Sequence, residues 1–418
     1  MADLLPDELL VQIFEELIGG ASWQQSLVSL CRTSRRFYRA SLPCLYRSVQ
    51  LNGSTDITLF LNTVLTNVHL RQLVKNFSIW LLADATTKRD DPNSRITVDL
   101  KELKNIVETC ISTPTWANRV FEFLNRGSVL ARVLLTIMML PELESLELET
   151  PLGDKILDDG LVALALVQGL PQKLKTLQRS AGLKYDYRLL RSFFSIPSLK
   201  KITCFGAESS PSDHPSKGYR RSKVEVLHLL SSRVSGDDLS SLLRSSPCLK
   251  ELVYLDRTEG KKASRLRFTP FDEALSSVAG TLESLSLIWY DTNEDATHQG
   301  FLSIRNFRRL QKLTIQFELL LGRTPGQIPL TEALPTSIRY LELRKSDAWW
   351  HGSGDGRPNP WTDSLCIDAV QGLLFTEEGE KFIHLEGIIL RVRKSIDSLI
   401  PLAQNRSLWI ENKGSLSY

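Results

Sequence analysis

The sequence has few cysteines, and no motif pairs them. Six cysteines are spread over 418 residues without a C-x-x-C pair, and the six histidines are equally dispersed. Single scattered cysteines in an intracellular chain are usually small buried hydrophobes rather than disulfide partners. The cysteines and histidines do not match a metal-ligand spacing, so we predict no metal site and no other cofactor.

The sequence also lacks an excess of one charge and a long hydrophobic run. Its 51 Lys and Arg residues nearly balance its 48 Asp and Glu residues, which leaves a net charge of +3. This balance argues against a nucleic-acid partner and against an anionic membrane. The longest apolar run near the middle, residues 133–140, is too short to span a bilayer, and we predict a buried helix there.

Signals for secretion and for catalysis are missing as well. The residues after Met1 lack a positive region followed by an apolar run, so we expect an intracellular protein of the cytoplasm, the nucleus or both. There is no Gly-x-Ser-x-Gly elbow, no His-Glu-x-x-His and no set of kinase motifs. We predict that the chain is not an enzyme. A hydrolase whose Asp, His and Ser residues converge only in space is a remote alternative.

What the sequence does have is an apolar pattern in its first fifty residues. Pro6 suits the first position of a helix, and acidic residues follow it at the positive end of the helix dipole. Apolar residues then recur at helical spacing, and two further short helices follow, the third from about Ser34. Three short helices bury too little surface to form a stable domain on their own. We therefore expect a partner for the apolar face that they leave over.

The residues that carry this pattern resemble an F-box. The similarity covers about residues 3–50 and consists of Leu5-Pro6-x-Glu8-Leu9-Leu10-x-x-Ile13-Phe14-x-x-Leu17 and Ser26-Leu27-x-x-Leu30-Cys31-Arg32-x-Ser34-Arg35-Arg36-Phe37-Tyr38. Many members of that family have a tryptophan after the arginine pair, where this chain has Phe37-Tyr38, which we interpret as an aromatic exchange. The alternative is an ordinary amphipathic helical hairpin that packs on its own protein.

The resemblance implies that the three helices dock on a Skp-type adaptor, which links them to a cullin ubiquitin ligase. Carried over by position, the residues expected to contact the adaptor are Leu5, Pro6, Leu9, Leu10, Ile13 and Leu17. Leu27 and Leu30 join this contact or pack the small core.

A second signal is a repeated unit of the form apolar-x-x-apolar-x-apolar. Its starting positions step by 25 residues from Leu174 to Leu249 and then by 33, 28 and 28 residues, which brackets the period of leucine-rich repeats. Several units follow a proline that ends the preceding helix. The asparagine that usually closes the repeat is missing, so we expect irregular turns. The unit begins at Leu143, Leu174, Leu199, Val224, Leu249, Leu282, Leu310, Ile338 and Leu385.

These signals together predict an α/β fold. A three-helix F-box (3–50) is followed by an irregular leucine-rich-repeat solenoid (140–392), which is a curved, mostly parallel sheet with outer helices. Between them we expect a connecting segment (51–139), in which Val74–Ile79 supplies a first strand and residues 99–140 form a helical cap. Residues 393–418 are predicted to be a tail or a second cap. Isolated βα units in another α/β fold are the alternative.

Target binding is predicted on the outward face of the repeat strands and in an inserted loop. Recognition sites favour large apolar and aromatic anchors, and four such residues follow the last apolar residue of successive units. The opposing view is that these side chains lie under the inserted loops at 206–223, 256–270 and 344–364. The candidates are Phe205, Val226, His228, Leu230, Val253, Leu255, Ile288, Tyr340, Trp349 and Trp350.

The predicted function is that of a non-catalytic substrate-recognition subunit. Its F-box would bind the adaptor and its repeats would hold a target protein for ubiquitination by the cullin ligase. The alternative is a scaffold of the same architecture that acts outside degradation. Nothing in the sequence names the target.

Overall fold

A computed structural model describes most of the chain, and the described residues fall into two compact units. Unit 1 comprises residues 1–182 and 196–199, and unit 2 comprises residues 183–195 and 200–418. The structure describes residues 5–18, 23–81, 96–111, 113–150, 161, 171–209, 221–256, 268–288, 300, 303–322, 324–345, 361–375 and 381–414.

Twelve strands and fifteen α-helices have described bounds. The strands are β1 (Ser48–Asn52), β2 (Asn76–Trp80), β3 (Ser145–Thr150), β4 (Thr176–Asp186), β5 (Lys201–Glu208), β6 (Val226–Leu230), β7 (Glu251–Leu255), β8 (Ser284–Ile288), β9 (Lys312–Gln316), β10 (Tyr340–Arg344), β11 (Gly387–Arg391) and β12 (Trp409–Asn412). The helices are α1 (Asp7–Glu16), α2 (Trp23–Cys31), α3 (Arg35–Arg47), α4 (Ser54–Thr66), α5 (Val68–Leu73), α6 (Leu100–Cys110), α7 (Pro114–Asn125), α8 (Val129–Met138), α9 (Tyr187–Phe193), α10 (Gly236–Ser245), α11 (Phe268–Ser276), α12 (Phe317–Leu321), α13 (Leu330–Ala333), α14 (Asp363–Phe375) and α15 (Ile400–Asn405).

Helices α1, α2 and α3 form a small bundle, which we call the head. Its buried core contains only five residues, with a tilted contact between two phenylalanine rings whose centroids lie 5.8 Å apart at the edge of this core. Larger side chains such as Leu5, Trp23 and Leu30 are only partly buried against it. The head therefore has little interior of its own, as its length predicts. The five core residues are Leu10, Phe14, Leu27, Ala40 and Cys44.

Polar contacts fix the third helix of the head against the first. The hydroxyl of Ser34 accepts a hydrogen bond from the backbone N–H of Phe37 at 3.1 Å and caps α3, which confirms the predicted start of that helix. Arg36 pairs with Asp7 at 2.7 Å, and Arg47 pairs with Glu15 at 2.5 Å. Both ion pairs are exposed, so they orient the helices more than they stabilise them.

Unit 1 continues from the head without a linker. Helix α3 ends at Arg47 and β1 begins at Ser48, and the carbonyl of Arg47 accepts a hydrogen bond from the N–H of Lys75 at 2.9 Å. Strands β1, β2, β3 and β4 then pair in chain order, and each described pair is parallel. The strand expected at Val74–Ile79 is present as β2. It is the second strand, because β1 precedes it.

The helices expected between residues 99 and 140 are confirmed as α6, α7 and α8. Helix α8 is almost wholly buried, as the apolar run predicts, because apolar side chains occupy nearly every face of it. All three helices lie along the chain between the paired strands β2 and β3. They are therefore a crossover connection within the sheet and not a cap before its first strand, which corrects the sequence-based expectation.

Unit 2 contains eight strands, β5 to β12, which also pair in chain order with every described pair parallel. Helices or irregular segments connect them, including a 3₁₀ turn at Ile304–Asn306. Strand β12 lies beyond residue 392, within the segment predicted to be a tail or a second cap. The parallel sheet with intervening helices agrees with a repeat solenoid and confirms the predicted fold class.

The repeat unit places its apolar residues on the buried face of each strand. Leu146 and Leu148 are buried while Glu147 points to the other face, as the period of a β-strand requires. A turn precedes the unit: the N–H of Leu143 bonds to the carbonyl of Leu140 at 3.3 Å, and that of Leu249 to the carbonyl of Ser246 at 3.1 Å. Proline is the second residue of both turns, where its fixed φ is favourable.

Among the described residues, no helix has the combined length and apolarity that crossing a bilayer requires.

Candidate adaptor and target surfaces

Helix α1 of the head leaves one apolar face open. Leu9, Ile13 and Leu17 follow one another at intervals of four residues, and their exposed fractions are 43%, 48% and 38%. Residues at this spacing lie on the same side of a helix, one turn apart. The three side chains therefore form a continuous apolar strip, which we call the α1 strip. An exposed apolar strip on so small a bundle is typical of a surface that binds a partner.

The structure divides the other predicted adaptor residues. Leu10 and Leu27 are 2% and 0% exposed and belong to the core of the head. Leu5 and Leu30 are partly buried against that core, and Pro6 is exposed at the start of α1. Leu10 and Leu27 thus pack inside the head, whereas the residues of the α1 strip are accessible to a partner. Adaptor contact itself stays a prediction for all eight residues.

Two exposed apolar residues of the head were missed as contact candidates. Val28 on α2 is 36% exposed and Tyr38 on α3 is 48% exposed. The sequence assigned both to the apolar positions of their helices, but it could not show which of those positions face outward. The only available signal was their place next to Leu27, which is buried, and Phe37, which is partly buried.

Comparison with known families identifies this bundle. Residues 2–52 match the model of the F-box-like family. The chain carries an F-box-like domain. Such domains are non-catalytic and typically bind Skp-type adaptors, so a Skp-type partner fits the F-box-like domain of this chain. No curated protein matches the sequence.

From β5 to β11, each strand of unit 2 has three outward positions, which we call the first, middle and last positions. In β6 they are Val226, His228 and Leu230. They alternate with the buried residues Leu227 and Leu229. Because the pairing is parallel and in register, equivalent positions of neighbouring strands lie side by side.

The predicted apolar stripe occupies the last position of four adjacent strands. The register places Phe205 opposite Leu230, Leu230 opposite Leu255 and Leu255 opposite Ile288. The first three are half-buried, while Ile288 is 5% exposed. The residues predicted to line up therefore do so in the structure, although Ile288 offers little surface. Target contact is untested and stays a prediction.

Other target candidates on this face have polar neighbours. The ring nitrogen Nε2 of His228 lies 2.8 Å from Oε1 of Glu251 on the next strand. Tyr340 donates its hydroxyl to Glu386, and Lys312 lies 5.9 Å from the centre of the Tyr340 ring. Val226 and Val253 are half-buried on the same face. The first and middle positions of unit 2 are thus mixed in character, in contrast to the apolar last position of β5 to β8.

The structure describes only the two ends of the inserted loop at 344–364. Trp349 and Trp350 lie outside the described residues. Trp361 is buried in unit 2, where its Nε1–H donates to the carbonyl of Gly322 at 2.9 Å and its ring stacks on Phe317 with centroids 5.4 Å apart. Trp361 is therefore a core residue.

Most units have a charged residue just before the strand, one position after the first apolar residue of the unit. In unit 2, Glu225 accepts hydrogen bonds from Lys200 and, at 2.8 Å, from Lys250. Hydrogen bonds from Lys200 and then Lys250 lower the pKa of Glu225. In unit 1, Lys175 bonds Glu144 at 2.7 Å and lowers its pKa in the same way. These exposed pairs align neighbouring strands rather than form a binding site.

Proposed function

We propose that this protein is a substrate-recognition subunit of a cullin-type ubiquitin ligase. Its F-box-like domain binds a Skp-type adaptor, and the outward face of its repeat strands holds a target protein. The chain itself performs no chemistry, because ubiquitin transfer takes place on other subunits of the ligase. The complex works in the cytoplasm, the nucleus or both.

The observation that carries the proposal is the apolar α1 strip on the F-box-like domain. Leu9, Ile13 and Leu17 together expose apolar surface on a bundle whose own buried core contains only five residues. Burial of apolar surface is the main favourable term in most protein association. An adaptor that covered the α1 strip would supply the interior that the bundle lacks.

The parallel strands of unit 2 support the second half of the proposal. Phe205, Leu230 and Leu255 are large, adjacent and half-buried on the face opposite the core. Apolar anchors of this kind dominate binding at protein interfaces when a partner excludes water from them. The polar neighbours at the first and middle positions would then provide specificity, since unpaired polar groups are costly to bury.

Co-purification of the full chain with its partners tests this function. Tagged protein from cells is expected to retain a Skp-type adaptor and, through it, a cullin in stoichiometric amounts. Proximity labelling with and without proteasome inhibition is then expected to find proteins that accumulate only under inhibition, and these are the candidate targets.

The same experiments distinguish the proposed ligase subunit from the alternative, a scaffold that acts outside degradation. Capture of the adaptor without a cullin, together with neighbours whose abundance does not respond to proteasome inhibition, would favour a scaffold outside degradation. Absence of the adaptor from the purified protein would contradict the proposal as a whole.

A further inference from the structure

Strands β10 and β11 of unit 2 carry an unusual group of charges on their outward face. Arg344 and Arg391 occupy the last position of β10 and β11 and lie opposite each other in the register. Nε of Arg344 donates to Oε1 of Glu342 at 2.9 Å, and Nε of Arg391 donates to the same oxygen. The second carboxylate oxygen accepts a hydrogen bond from Thr314 at 3.4 Å. One carboxylate therefore serves two guanidinium groups.

This group has one positive charge in excess and is sheltered from water. The side chains of Arg344, Arg391 and Glu342 are only 19%, 15% and 17% exposed. Burial opposes ionisation of Glu342, but Arg391 and Arg344 outweigh it, so the pKa of Glu342 is lowered and the carboxylate is charged. Among the described residues, Glu342 is the only acidic side chain within ion-pair distance of either guanidinium.

Three other cations around these strands each have one acidic partner. Lys345 pairs with Asp363 at 2.6 Å, Lys413 pairs with Glu411 at 3.6 Å, and Arg339 pairs with Glu386. Arg393 and Lys394 are exposed in the turn after β11, where water and salt screen them. The excess guanidinium therefore stands out, because a sheltered charge without a full counter-charge is costly.

We infer that Arg344 and Arg391 bind the carboxylate of an aspartate or glutamate in an extended segment of the target protein. This inference rests on the proposed function, and it names the chemistry of the target. A guanidinium presents planar pairs of N–H donors that match a carboxylate, and each arginine here spends few of its five donors on Glu342. A single carboxylate neutralises the excess charge, whereas a phosphate of nearly two charges would exceed it.

Apolar residues lie beside this site. Ile389 is half-buried on the outward face of β11, two residues before Arg391. At the other end of β11, four residues before Arg391, the ring of Trp409 lies over Gly387, where a Cβ atom would collide with it, and Trp409 is 44% exposed. In an extended chain, residues two positions apart are separated by about 7 Å. This spacing is the same in β11 and in an extended target segment that lies along it. The segment is therefore expected to carry an apolar residue two positions from its acidic one.

Labelled peptide pools test the site on the full chain. Each pool of nine-residue peptides has leucine fixed at positions 3 and 7 and random residues elsewhere, with position 5 fixed as aspartate, asparagine or phosphoserine. We expect the aspartate pool to bind about tenfold more tightly than the asparagine pool by fluorescence anisotropy. The preference is expected to disappear in Arg391→Gln and to be unchanged in Arg309→Gln, an exposed arginine that follows the 3₁₀ turn before β9.

The Glu342→Gln variant distinguishes a carboxylate-binding role of the two arginines from a purely structural role of Glu342. Removal of the internal carboxylate leaves both guanidinium groups available, so the aspartate pool is expected to bind about threefold more tightly or better. If Glu342 only held the strands together, the variant would instead lose binding along with its thermal stability. This arm keeps the inference testable even if Arg391→Gln does not fold.

Four outcomes would overturn the inference. They are equal binding of the aspartate and asparagine pools, tighter binding of the phosphoserine pool, an aspartate preference that persists in a folded Arg391→Gln variant, and loss of the aspartate preference in Glu342→Gln. None of them concerns adaptor capture, so failure of this site leaves the proposed function standing. Conversely, a chain that prefers the aspartate pool but captures no adaptor would refute the proposed function alone.

Discussion

The head and the repeat strands both leave apolar side chains uncovered, but for different physical reasons. In the head, three short helices enclose a core of five residues, and Leu9, Ile13 and Leu17 remain 43%, 48% and 38% exposed. In unit 2, strands β5 to β11 bury inward side chains that are mostly leucine and isoleucine, and their outward side chains are of mixed character. An open apolar strip is therefore a binding signal in the head, whereas in the repeats the signal lies in which outward residues are neighbours.

The second difference lies in how each region is stabilised. Strand pairs in unit 2 are repeated along the sheet, so stability is the sum of many similar interfaces. The head has no such repetition, and α3 instead continues directly into β1. A change in the head should thus act on partner binding first, while a change on the inward face of the sheet should act on stability first.

The largest expected effect is on adaptor capture. Leu9→Asp or Ile13→Asp places a charge in the α1 strip, and burial of that charge against an adaptor would cost at least the energy of a binding hot spot. We expect affinity for the adaptor to fall by about thirtyfold or more, measured by titration of purified adaptor into the full chain. Unfolding of unit 2 should be unaffected.

Leu59→Asp is the matched control for this experiment, because Leu59 on α4 is 54% exposed outside the head. Its adaptor affinity is expected to equal that of the unmodified protein. Undiminished capture by both head variants would contradict the assigned contact face.

Neighbouring leucines on β6 sharpen the comparison of inward and outward positions. Leu229 is fully buried and Leu230 is half-buried on the opposite face. Leu229→Ala is expected to cost about 2–5 kcal/mol of unfolding free energy because it leaves a cavity. Leu230→Ala should cost about 1 kcal/mol or less. Urea denaturation measures both, and equal losses would show that the two faces are not distinct.

A smaller effect is expected at Trp361. Trp361→Phe keeps an aromatic ring against Phe317 but removes the N–H that bonds to the carbonyl of Gly322. Loss of this buried hydrogen bond should lower the unfolding free energy by about 1–3 kcal/mol. A variant as stable as the original protein in thermal denaturation would argue against the buried position of this ring.

The smallest effect concerns the charges before the strands. Hydrogen bonds from Lys200 and Lys250 lower the pKa of Glu225 below its ordinary value of 4.5. A carboxylate whose pKa is lower in the folded than in the unfolded state stabilises the folded state at pH values above its unfolded-state pKa. This stability is lost as the pH falls through the folded-state pKa. Glu225→Gln should therefore lower the Tm slightly at pH 7, and the difference should vanish in acid below the lowered pKa. A difference that persists there would point to packing rather than charge.

Sequence reasoning predicted much of this fold because the relevant signals are local. The spacing of Leu227 and Leu229 identified the buried face of β6, and Ser34 marked the start of α3. The alignment of Phe205, Leu230 and Leu255 also followed, since equal units stacked in register bring equal positions together. Each of these predictions depends only on the pattern within a short stretch of the sequence.

Other features depended on contacts that local spacing does not reveal. Leu9 and Leu10 are identical neighbours in the sequence, yet one is exposed and the other is in the core of the head. Trp361 sits in a segment rich in glycine but packs on Phe317, more than forty residues earlier. The position of β1 was missed because it follows α3 without any turn residues to mark it.

By itself, the sequence determined the kinds of element in this protein, the buried face of most strands and the likeness of its first fifty residues to an F-box. These follow from the periods of helix and strand, which every short segment carries. Only the tertiary structure decided that Arg344 and Arg391 share the carboxylate of Glu342. Such a group forms where strands separated by dozens of residues become neighbours, and stacking of the whole sheet, not the local spacing, brings them together.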